Sequence, residues 1–527
     1  MATSSRSPLI KALQRAFATS LYSKKHGVPL GEAHEMVQQQ FSRRKFITTT
    51  STAAAITAIS GSAFLEACTG KRAPVVAIVG GGIAGLYAAY ILRNAGIIAN
   101  IYEASGRTGG RIYTMKNLMG KGTHTELGGE FIDSTHADIL RLADDFNLGL
   151  IDTQVESETS LKQSLFFIEG QPVDDATLLN MLAPFVPAIQ QDVASLSADI
   201  SYTTHTDADI ALDNMSLQAY LQHIGITGPL YKLIDVAYTT EYGLDVAQQS
   251  AINFLMLIDT SMKDRFRYSG FSDERYKIAE GNQSITESLT DLLEGQISLG
   301  MELIAIGQKN EGDKVLLQFS ETGGKHSTVE ADYVILTLPF TILRNVDITY
   351  PITANKRRAI QELGYGQNAK FFMQFQKRVW REQGYTGFMF SDSIVQNAWD
   401  HTQLQPGETG GFTVFTGGAA SKVMETTKMP DFAAMCMNVL SKAYPHISDP
   451  NPDMLTRFHW PTHPYTKASY TCFAPGQFTT IEGAQREPAG RLYFAGEHCS
   501  FEFQGFMNGA AQTGREAAEA VIKALKG

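Results

Sequence analysis

The stretch that decides the fold is VVAIVGGGIAGL, residues 75–86. A β-branched apolar run ends in the pattern Gly80-x-Gly82-x-x-Gly85, a helix-like segment follows, and a second short apolar run ends in the acid Glu103. In such a unit the first glycine allows a tight turn, the second lets a pyrophosphate approach, and the third permits close helix packing. An acid about 20 residues farther on binds the ribose hydroxyls. The stretch therefore predicts a dinucleotide-binding βαβ unit.

Length and composition indicate a globular protein of at least two domains. The chain has 527 residues, of which 43% are hydrophobic and 19% charged, and this length exceeds what one hydrophobic core usually supports. The net charge of −10 is not the excess of basic residues that is typical of nucleic-acid-binding proteins, so a nucleic-acid partner is not expected. The four cysteines show no C-x-x-C spacing. The sequence therefore predicts neither a disulfide framework nor a metal site.

The first 73 residues differ in composition from the rest. Arg43-Arg44 precede a mildly apolar run over 48–65 that is rich in Thr, Ser and Ala, and Cys68 follows. This order resembles a twin-arginine export signal, with Cys68 as a candidate lipid anchor. We therefore expect residues 1–73 to be an export signal and N-terminal extension outside the fold. The twin-arginine translocase would then deliver a periplasmic protein, or one anchored to the membrane and facing the periplasm. The alternative is a disordered or amphipathic extension.

Two glycine-rich clusters follow the dinucleotide unit. The first, residues 106–111, contains Arg107 and Arg111, whose planar guanidinium groups suit bidentate contacts with a pyrophosphate. The second contains Gly128-Gly129, which would let the backbone approach a ring system closely. The alternative is a pair of ordinary glycine-rich turns.

The remaining chain divides by periodicity. Residues 150–265 have mostly helical spacing, whereas strands are expected over 296–306, 314–319, 328–330 and 333–337. Near the C-terminus a strand from Arg491 ends in Gly496-Glu497, and a helix of small residues opens at about Phe506 and runs to Leu525.

In this order the motifs resemble those of the flavin-dependent amine oxidase family, which includes monoamine, polyamine and L-amino acid oxidases. The resemblance covers about residues 75–520. It implies an α/β fold with a discontinuous FAD-binding Rossmann-like domain, formed by residues 74–150, 270–338 and 461–527. It also implies a substrate-binding α+β domain with a helical insertion, formed by residues 151–269 and 339–460.

The resemblance also implies which positions contact FAD. These are Gly80, Gly82, Ile83, Ala84, Gly85, Glu103, Ala104, Arg107, Arg111, Gly128, Gly129, Glu130, Phe131, Leu303, Trp460, Gly496, Glu497 and Met507. Monoamine oxidases carry a cysteine that links covalently to the flavin, and the matching position here is Ser469. We therefore expect non-covalent FAD; the alternative is a shifted linkage at Cys472.

Three further positions match catalytic residues of the family. Lys370 corresponds to a lysine that holds a water at the flavin N5, and Tyr470 and Phe506 correspond to two aromatic rings that enclose the substrate amine. Facing aromatic rings exclude water and attract an amine through their π faces. Each of the three has a plainer alternative, a solvated lysine or a core aromatic residue.

The implied reaction is oxidative deamination of a primary amine or an L-amino acid with a bulky apolar or aromatic side chain. A hydride passes to flavin N5, the imine hydrolyses to an aldehyde or 2-oxo acid plus ammonia, and O2 restores the flavin with release of H2O2. Alternatives are a polyamine oxidase, a flavin desaturase or porphyrinogen-type oxidase, and a non-catalytic flavoprotein. Phe131 stands where animal L-amino acid oxidases carry a carboxylate-binding arginine, and Glu130 would repel a carboxylate if it faced the pocket. A homodimer is a candidate assembly.

Overall fold

The computed structural model describes residues 7–37, 73–258, 272–310 and 312–526. The predicted twin-arginine segment and Cys68 lie outside the described residues. Export and lipid attachment therefore stay predictions.

A five-stranded parallel sheet forms around the stretch that decides the fold. Its first strand, Val76–Val79, lies between Ala99–Glu103 and Tyr333–Leu336, and the outer strands are Ile297–Leu299 and Leu492–Phe494. All four residues of Val76–Val79 are buried, as expected for a parallel strand covered on both faces. A sheet assembled from distant parts of the chain confirms the predicted α/β fold class, while the exact domain boundaries stay predictions.

Two further sheets, of four and seven strands, accompany this central sheet. A four-stranded sheet contains, in spatial order, His326–Ala331, Val315–Glu321, Met301–Gly307 and Asp347–Ile348. A seven-stranded sheet contains Thr456–His459, Ala369–Phe375, Gly410–Thr416, Asn397–Asp400, Met389–Ser391, Leu165–Ile168 and Gln171–Val173. Two small ladders join Thr114–Lys116 to His124–Glu126 and Leu150–Asp152 to Tyr276–Ile278.

The hairpin at 165–173 differs from the mostly helical interpretation of residues 150–265. Leu165–Ile168 is a fully buried strand, and two left-handed residues, Glu169 (φ +54°) and Gly170 (φ +75°), connect it to Gln171–Val173. Two consecutive positive φ angles form the hairpin turn that matches strand twist. A buried strand has no alternation of apolar and polar residues, so periodicity alone could not distinguish it from a helix.

The helices of the described part include one at each end. They span Pro8–His26, Ile83–Asn94, Ala137–Asp145, Glu156–Thr159, Asp175–Leu182, Val186–Ser195, Asp207–Asp213, Leu217–His223, Gly228–Tyr242, Ala251–Ile258, Gln283–Leu292, Phe340–Leu343, Ala354–Glu362, Val379–Glu382, Gly418–Thr426, Met429–Ala443, Gln477–Thr480 and Met507–Lys526. Within the described ranges, no helix combines the length and apolar character needed to cross a bilayer.

The helix Pro8–His26, called here the N-terminal helix, corrects the expectation that residues 1–73 lie outside the fold. Leu9, Ile10, Leu13 and Phe17 are fully buried, and the helix packs against Asp175–Leu182, Gly228–Tyr242 and Ala251–Ile258. The sequence carries start and stop signals for it, since Ser7 caps the first turn and a left-handed glycine follows His26. The first part of the supposed extension is therefore a wall of the helical region.

Candidate active site

One cavity joins the central sheet, the seven-stranded sheet and the helical region. Of the predicted site residues, all except Gly85 line it: Gly80, Gly82, Ile83, Ala84, Glu103, Ala104, Arg107, Arg111, Gly128, Gly129, Glu130, Phe131, Leu303, Lys370, Trp460, Tyr470, Gly496, Glu497, Phe506 and Met507. The fold thus brings candidate cofactor and catalytic residues from both ends of the chain into one space.

The glycine turn at the end of the first strand leaves room for a ligand. Gly80 has a φ of +109°, and a Cβ at Gly85 would lie 2.0 Å from the carbonyl oxygen of Gly80. Both positions therefore require glycine. Beside Gly82 the nearest atom to an added Cβ is 4.0 Å away. The helix Ile83–Asn94 begins at this open space, and a helix start favours an anionic group such as a pyrophosphate.

The carboxylate of Glu103 is fixed beside this turn. Its Oε2 accepts a hydrogen bond from the Gly81 backbone N–H at 2.7 Å, and its Oε1 accepts from the N–H and hydroxyl of Ser105 at 2.8 and 2.7 Å. A carboxylate has about four acceptor positions. One further hydrogen bond to Oε2 can therefore hold a ribose hydroxyl.

The guanidinium groups of the two predicted pyrophosphate-binding arginines are bonded to protein atoms. Arg107 donates to three carbonyl oxygens of its own loop and lies 4.0 Å above the Tyr113 ring. Arg111 Nη1 donates to the Ser469 carbonyl at 2.5 Å and to Glu497 Oε1 at 2.9 Å. Arg107 therefore shapes its loop, and Arg111 ties that loop to the C-terminal segments of the site.

Two glycines allow three segments to meet closely at the cavity. A Cβ at Gly128 would lie 1.8 Å from the carbonyl oxygen of Arg111, and one at Gly129 would lie 2.8 Å from Met507 Cγ. The Trp460 indole N–H donates at 3.0 Å to the carbonyl oxygen just before Gly128. This packing places the start of the C-terminal helix, Met507–Lys526, at the cavity wall.

Glu130 lies between two buried lysines. Its Oε2 is 3.0 Å from Lys370 Nζ and its Oε1 is 3.0 Å from Lys277 Nζ. The Trp399 indole N–H donates to the same Oε1 at 3.0 Å. The side chains of Glu130, Lys277 and Lys370 are 4%, 2% and 6% exposed. We call Lys277, Glu130 and Lys370 the buried charge triad, and its formal charge is one positive unit.

The triad determines the ionisation of Glu130. Burial alone would raise the pKa of Glu130, but attraction to the two ammonium groups outweighs burial and holds the pKa well below its ordinary range. Lys370 also donates to the carbonyl oxygens of Glu126 and Gly128 at 2.9 and 3.0 Å. Its three N–H donors thus all have protein acceptors, so a water molecule could bond to Lys370 only by replacing one of them.

Aromatic side chains form much of the remaining wall. Phe131 and Phe388 lie 5.7 Å apart, Phe388 stacks on Trp399 at 6.0 Å, and Trp399 meets Phe415 edge-on at 5.7 Å. All four line the cavity together with the predicted pair Tyr470 and Phe506. The Tyr470 hydroxyl donates to the carbonyl oxygen of Thr240 at 3.3 Å, which fixes the ring. The wall suits an apolar or aromatic ligand.

Polar groups on the wall favour a cationic ligand. Six glutamates line the cavity, Glu241 and Glu274 among them, whereas the Lys and Arg residues that line it within the described part of the chain are Arg107, Arg111, Lys370 and Lys467. The buried Asn397 Oδ1, also on this wall, has no hydrogen-bond partner among the described residues. Carboxylates and a carbonyl oxygen accept hydrogen bonds from an amine.

Ser469 and Cys472 occupy different environments. Ser469 lines the cavity and donates its hydroxyl to Asn368 Oδ1 at 2.7 Å. Cys472 is fully buried and does not line the cavity, and burial raises the pKa of its thiol. A buried, protonated thiol is a poor nucleophile.

Comparison with known proteins decides the family. The sequence pattern of the flavin-containing amine oxidoreductases matches residues 83–522. The chain belongs to this family. It is 25% identical over 469 residues to human amine oxidase [flavin-containing] B, covering 85% of this chain and 86% of the relative. It is 24% identical over 476 residues to pig amine oxidase [flavin-containing] A, with 85% of each protein covered.

Solved structures show the same fold. Cyclohexylamine oxidase from Brevibacterium oxydans superposes with a TM-score of 0.75 at 20% identity, over 86% of this chain and 100% of that chain. Putrescine oxidase bound to putrescine gives a TM-score of 0.70 at 19% identity, over 85% and 99% of the two chains. The predicted family and enzyme class are therefore confirmed, and the protein is a flavin-containing amine oxidase.

The cavity of this amine oxidase fits a flavin dinucleotide. Added Cβ atoms at Gly85, Gly128 and Gly129 would collide with the turn and helix that shape it, while the space beside Gly82 is open. Glu103 lines the cavity beside the glycine turn, and the C-terminal helix begins at Met507 on the same wall. Bound flavin supplies the two-electron oxidation. The protein residues bind it, orient the amine and exclude water.

Sequence reasoning did not identify Lys277 and Trp399 as site residues. Lys277 lies between Tyr276 and Ile278 in a short strand, and it is only 1% exposed. An unpaired buried lysine is costly, so a lysine inside an apolar strand is a sign of a buried acid nearby. Trp399 lies in a fully buried strand, Asn397–Asp400, and its indole N–H requires an acceptor.

Glu126 provides a pH-dependent prediction. Burial raises the pKa of Glu126 from 4.5 to about 7, although hydrogen bonds from Asn282 and Thr114 act to lower it. Between these values the folded state holds a proton that the unfolded state has lost. Stability therefore falls by about 2–3 kcal/mol as the pH rises through this window, and Glu126→Gln removes that loss. The thermal midpoint of Glu126→Gln, relative to that of the wild type, should be higher at pH 7 than at pH 5. The same difference between the two proteins at both pH values would contradict a raised pKa for Glu126.

Proposed function

We propose that this protein oxidises a primary amine with a bulky apolar or aromatic substituent, and not an L-amino acid. Amine, O2 and water would give aldehyde, ammonia and H2O2. The wall composition carries the proposal: Glu241, Glu274 and an aromatic surface line the cavity, and its two arginines among the described residues follow the glycine turn. Of the lysines that line it, Lys370 is paired with Glu130 and Lys467 is exposed. An L-amino acid requires a cation for its carboxylate, whereas a neutral or cationic amine does not.

The residues have distinct proposed roles. Tyr470, Phe506 and the ring set formed by Phe131, Phe388 and Trp399 would exclude water and hold the substituent. Asn397 Oδ1 would accept an N–H of the substrate amine. Lys370 would place positive charge beside the cavity, where it stabilises negative charge that develops on O2.

A substrate panel with peroxide detection tests this proposal. Benzylamine, phenylethylamine and longer alkylamines should be oxidised, with kcat/KM at least about 100-fold above that for phenylalanine and leucine, the loss expected for an unpaired buried carboxylate. Efficient turnover of L-amino acids and no turnover of amines would overturn it. Purified protein without a flavin absorbance band near 450 nm would remove its basis.

A second candidate is diamine or polyamine oxidation. Glu241 favours it because a carboxylate on the wall can hold a second ammonium group. Putrescine and spermidine therefore belong in the same panel. A preference for these substrates over benzylamine would select this second candidate.

The flavin is proposed to be non-covalent. Ser469 provides no thiol at the cavity, and the nearby thiol of Cys472 is buried elsewhere. Acid precipitation should release all of the flavin into the supernatant, and the denatured chain should show no flavin fluorescence on a gel. Flavin that migrates with the denatured chain would contradict this prediction.

A further inference from the structure

The N-terminal helix contributes to the substrate cavity itself. Ser7, which caps its first turn and is 3% exposed, lines the cavity together with Glu274. One turn farther along, Lys11 Nζ lies 3.6 Å from Glu274 Oε2, and the two side chains are 20% and 11% exposed. The helix therefore places a cation 3.6 Å from Glu274, one of the acidic residues on the cavity wall.

Glu274 is held in place for this contact. It has a left-handed backbone conformation, φ +46°, which a non-glycine residue keeps only when its surroundings fix it. Its backbone N–H donates to Asp133 Oδ1 at 2.8 Å, and the same oxygen accepts the Ser272 hydroxyl at 2.7 Å. The ion pair with Lys11 thus joins a rigid loop to the helix.

The helix is anchored independently of this ion pair. Leu9, Leu13 and Phe17 are fully buried, and Gln14 donates its amide to the carbonyl oxygen of Leu257. Removing the charge of Lys11 therefore leaves the position of the helix determined by its apolar face.

We propose that Lys11 is a specificity-determining residue that neutralises Glu274 and so prevents the cavity from favouring a second ammonium group. The enzyme then selects monoamines with an apolar tail over diamines of the same length. This inference rests on the proposed amine oxidase function. The N-terminal helix thus takes part in substrate choice through Lys11, which does not line the cavity itself but pairs with Glu274 on its wall.

Lys11→Met tests the inference with matched substrate pairs. We would compare benzylamine with 1,4-bis(aminomethyl)benzene, and heptylamine with 1,7-diaminoheptane. The wild type should favour the monoamine in each pair. The variant should raise the diamine-to-monoamine ratio of kcat/KM by about fivefold, mainly through KM, as expected for one partly buried charge.

Two further variants separate charge from structure. Arg15→Met removes a cation from the same helix, whose partner Asp175 is 3.5 Å away on the surface, and should leave the ratio unchanged. Lys11→Met combined with Glu274→Gln should return the ratio to near the wild-type value. If Lys11→Met fails to fold, Glu274→Gln alone should lower the ratio, because it leaves Lys11 uncompensated.

The outcomes distinguish a failure of the proposed function from a failure of the role inferred for Lys11. A wild type that oxidises none of the four amines overturns the proposed function, and the inference with it. A wild type that oxidises them, with the same ratio in Lys11→Met and Arg15→Met, overturns the inference alone.

Discussion

Replacing Lys370 by methionine should slow the reaction of the reduced enzyme with O2 by about 100-fold, the usual scale for removing one well-placed electrostatic contact. The ammonium group is buried at the cavity wall, so little water screens it. The fold and the bound flavin should persist, because Glu130 keeps its ion pair with Lys277 at 3.0 Å. Anaerobic reduction by substrate followed by rapid mixing with O2 measures the rate.

Lys277→Met is the matched control for this prediction. It removes the same formal charge from the buried charge triad, but Lys277 does not line the cavity. Oxidation of the reduced variant should slow by no more than about tenfold, because a more distant charge interacts more weakly. Equal slowing in the two variants would show that total charge matters and that the position of Lys370 does not. Equal rates in Lys370→Met and the wild type would remove its role in oxygen chemistry.

Local motifs made the dinucleotide half of the site predictable. Gly80 and Gly82 lie in the turn after the first strand, Gly85 lies in the first turn of the helix Ile83–Asn94, and Glu103 ends the adjacent parallel strand. Their geometry depends on a strand, a turn and a helix that are contiguous in sequence. The sequence pattern therefore indicated these elements correctly, while the roles of the residues in binding FAD stay predictions.

Long-range contacts limited the prediction of the charged part of the site. Glu130 meets Lys277 and Lys370, which are 147 and 240 residues away. No spacing rule connects such positions, so the sequence left open whether Glu130 faced a substrate carboxylate. The structure shows its carboxylate bonded to two lysines and the Trp399 indole N–H.

The sequence before residue 74 contains two patterns, an arginine pair typical of export and the signals of an amphipathic helix. The arginine pair at 43–44 resembles an export signal. Farther upstream, the cap at Ser7, the apolar spacing of Leu9, Leu13 and Phe17, and the stop at Gly27 indicate an amphipathic helix. A helix of this kind must bury its apolar face. Its partner surface lies in the region 175–258, which local sequence cannot reveal.

Glu130→Gln should destabilise the protein by about 3–5 kcal/mol, because it leaves two buried ammonium groups without their shared counter-ion. The glutamine oxygen can still accept one hydrogen bond, but it cannot balance the charge of Lys277 and Lys370. The loss should therefore appear as a thermal midpoint well below that of the wild type.

Asp152→Asn is the control, because Asp152 forms a bidentate pair with Arg275, the residue just before the neighbouring strand, but is 29% exposed. It should cost less than about 1 kcal/mol. Adding Lys277→Met to Glu130→Gln should recover part of the lost stability by removing one of the two like charges. Thermal midpoints at pH 7 measure all three effects. If Glu130→Gln costs no more than Asp152→Asn, the triad does not carry the buried charge that its geometry implies.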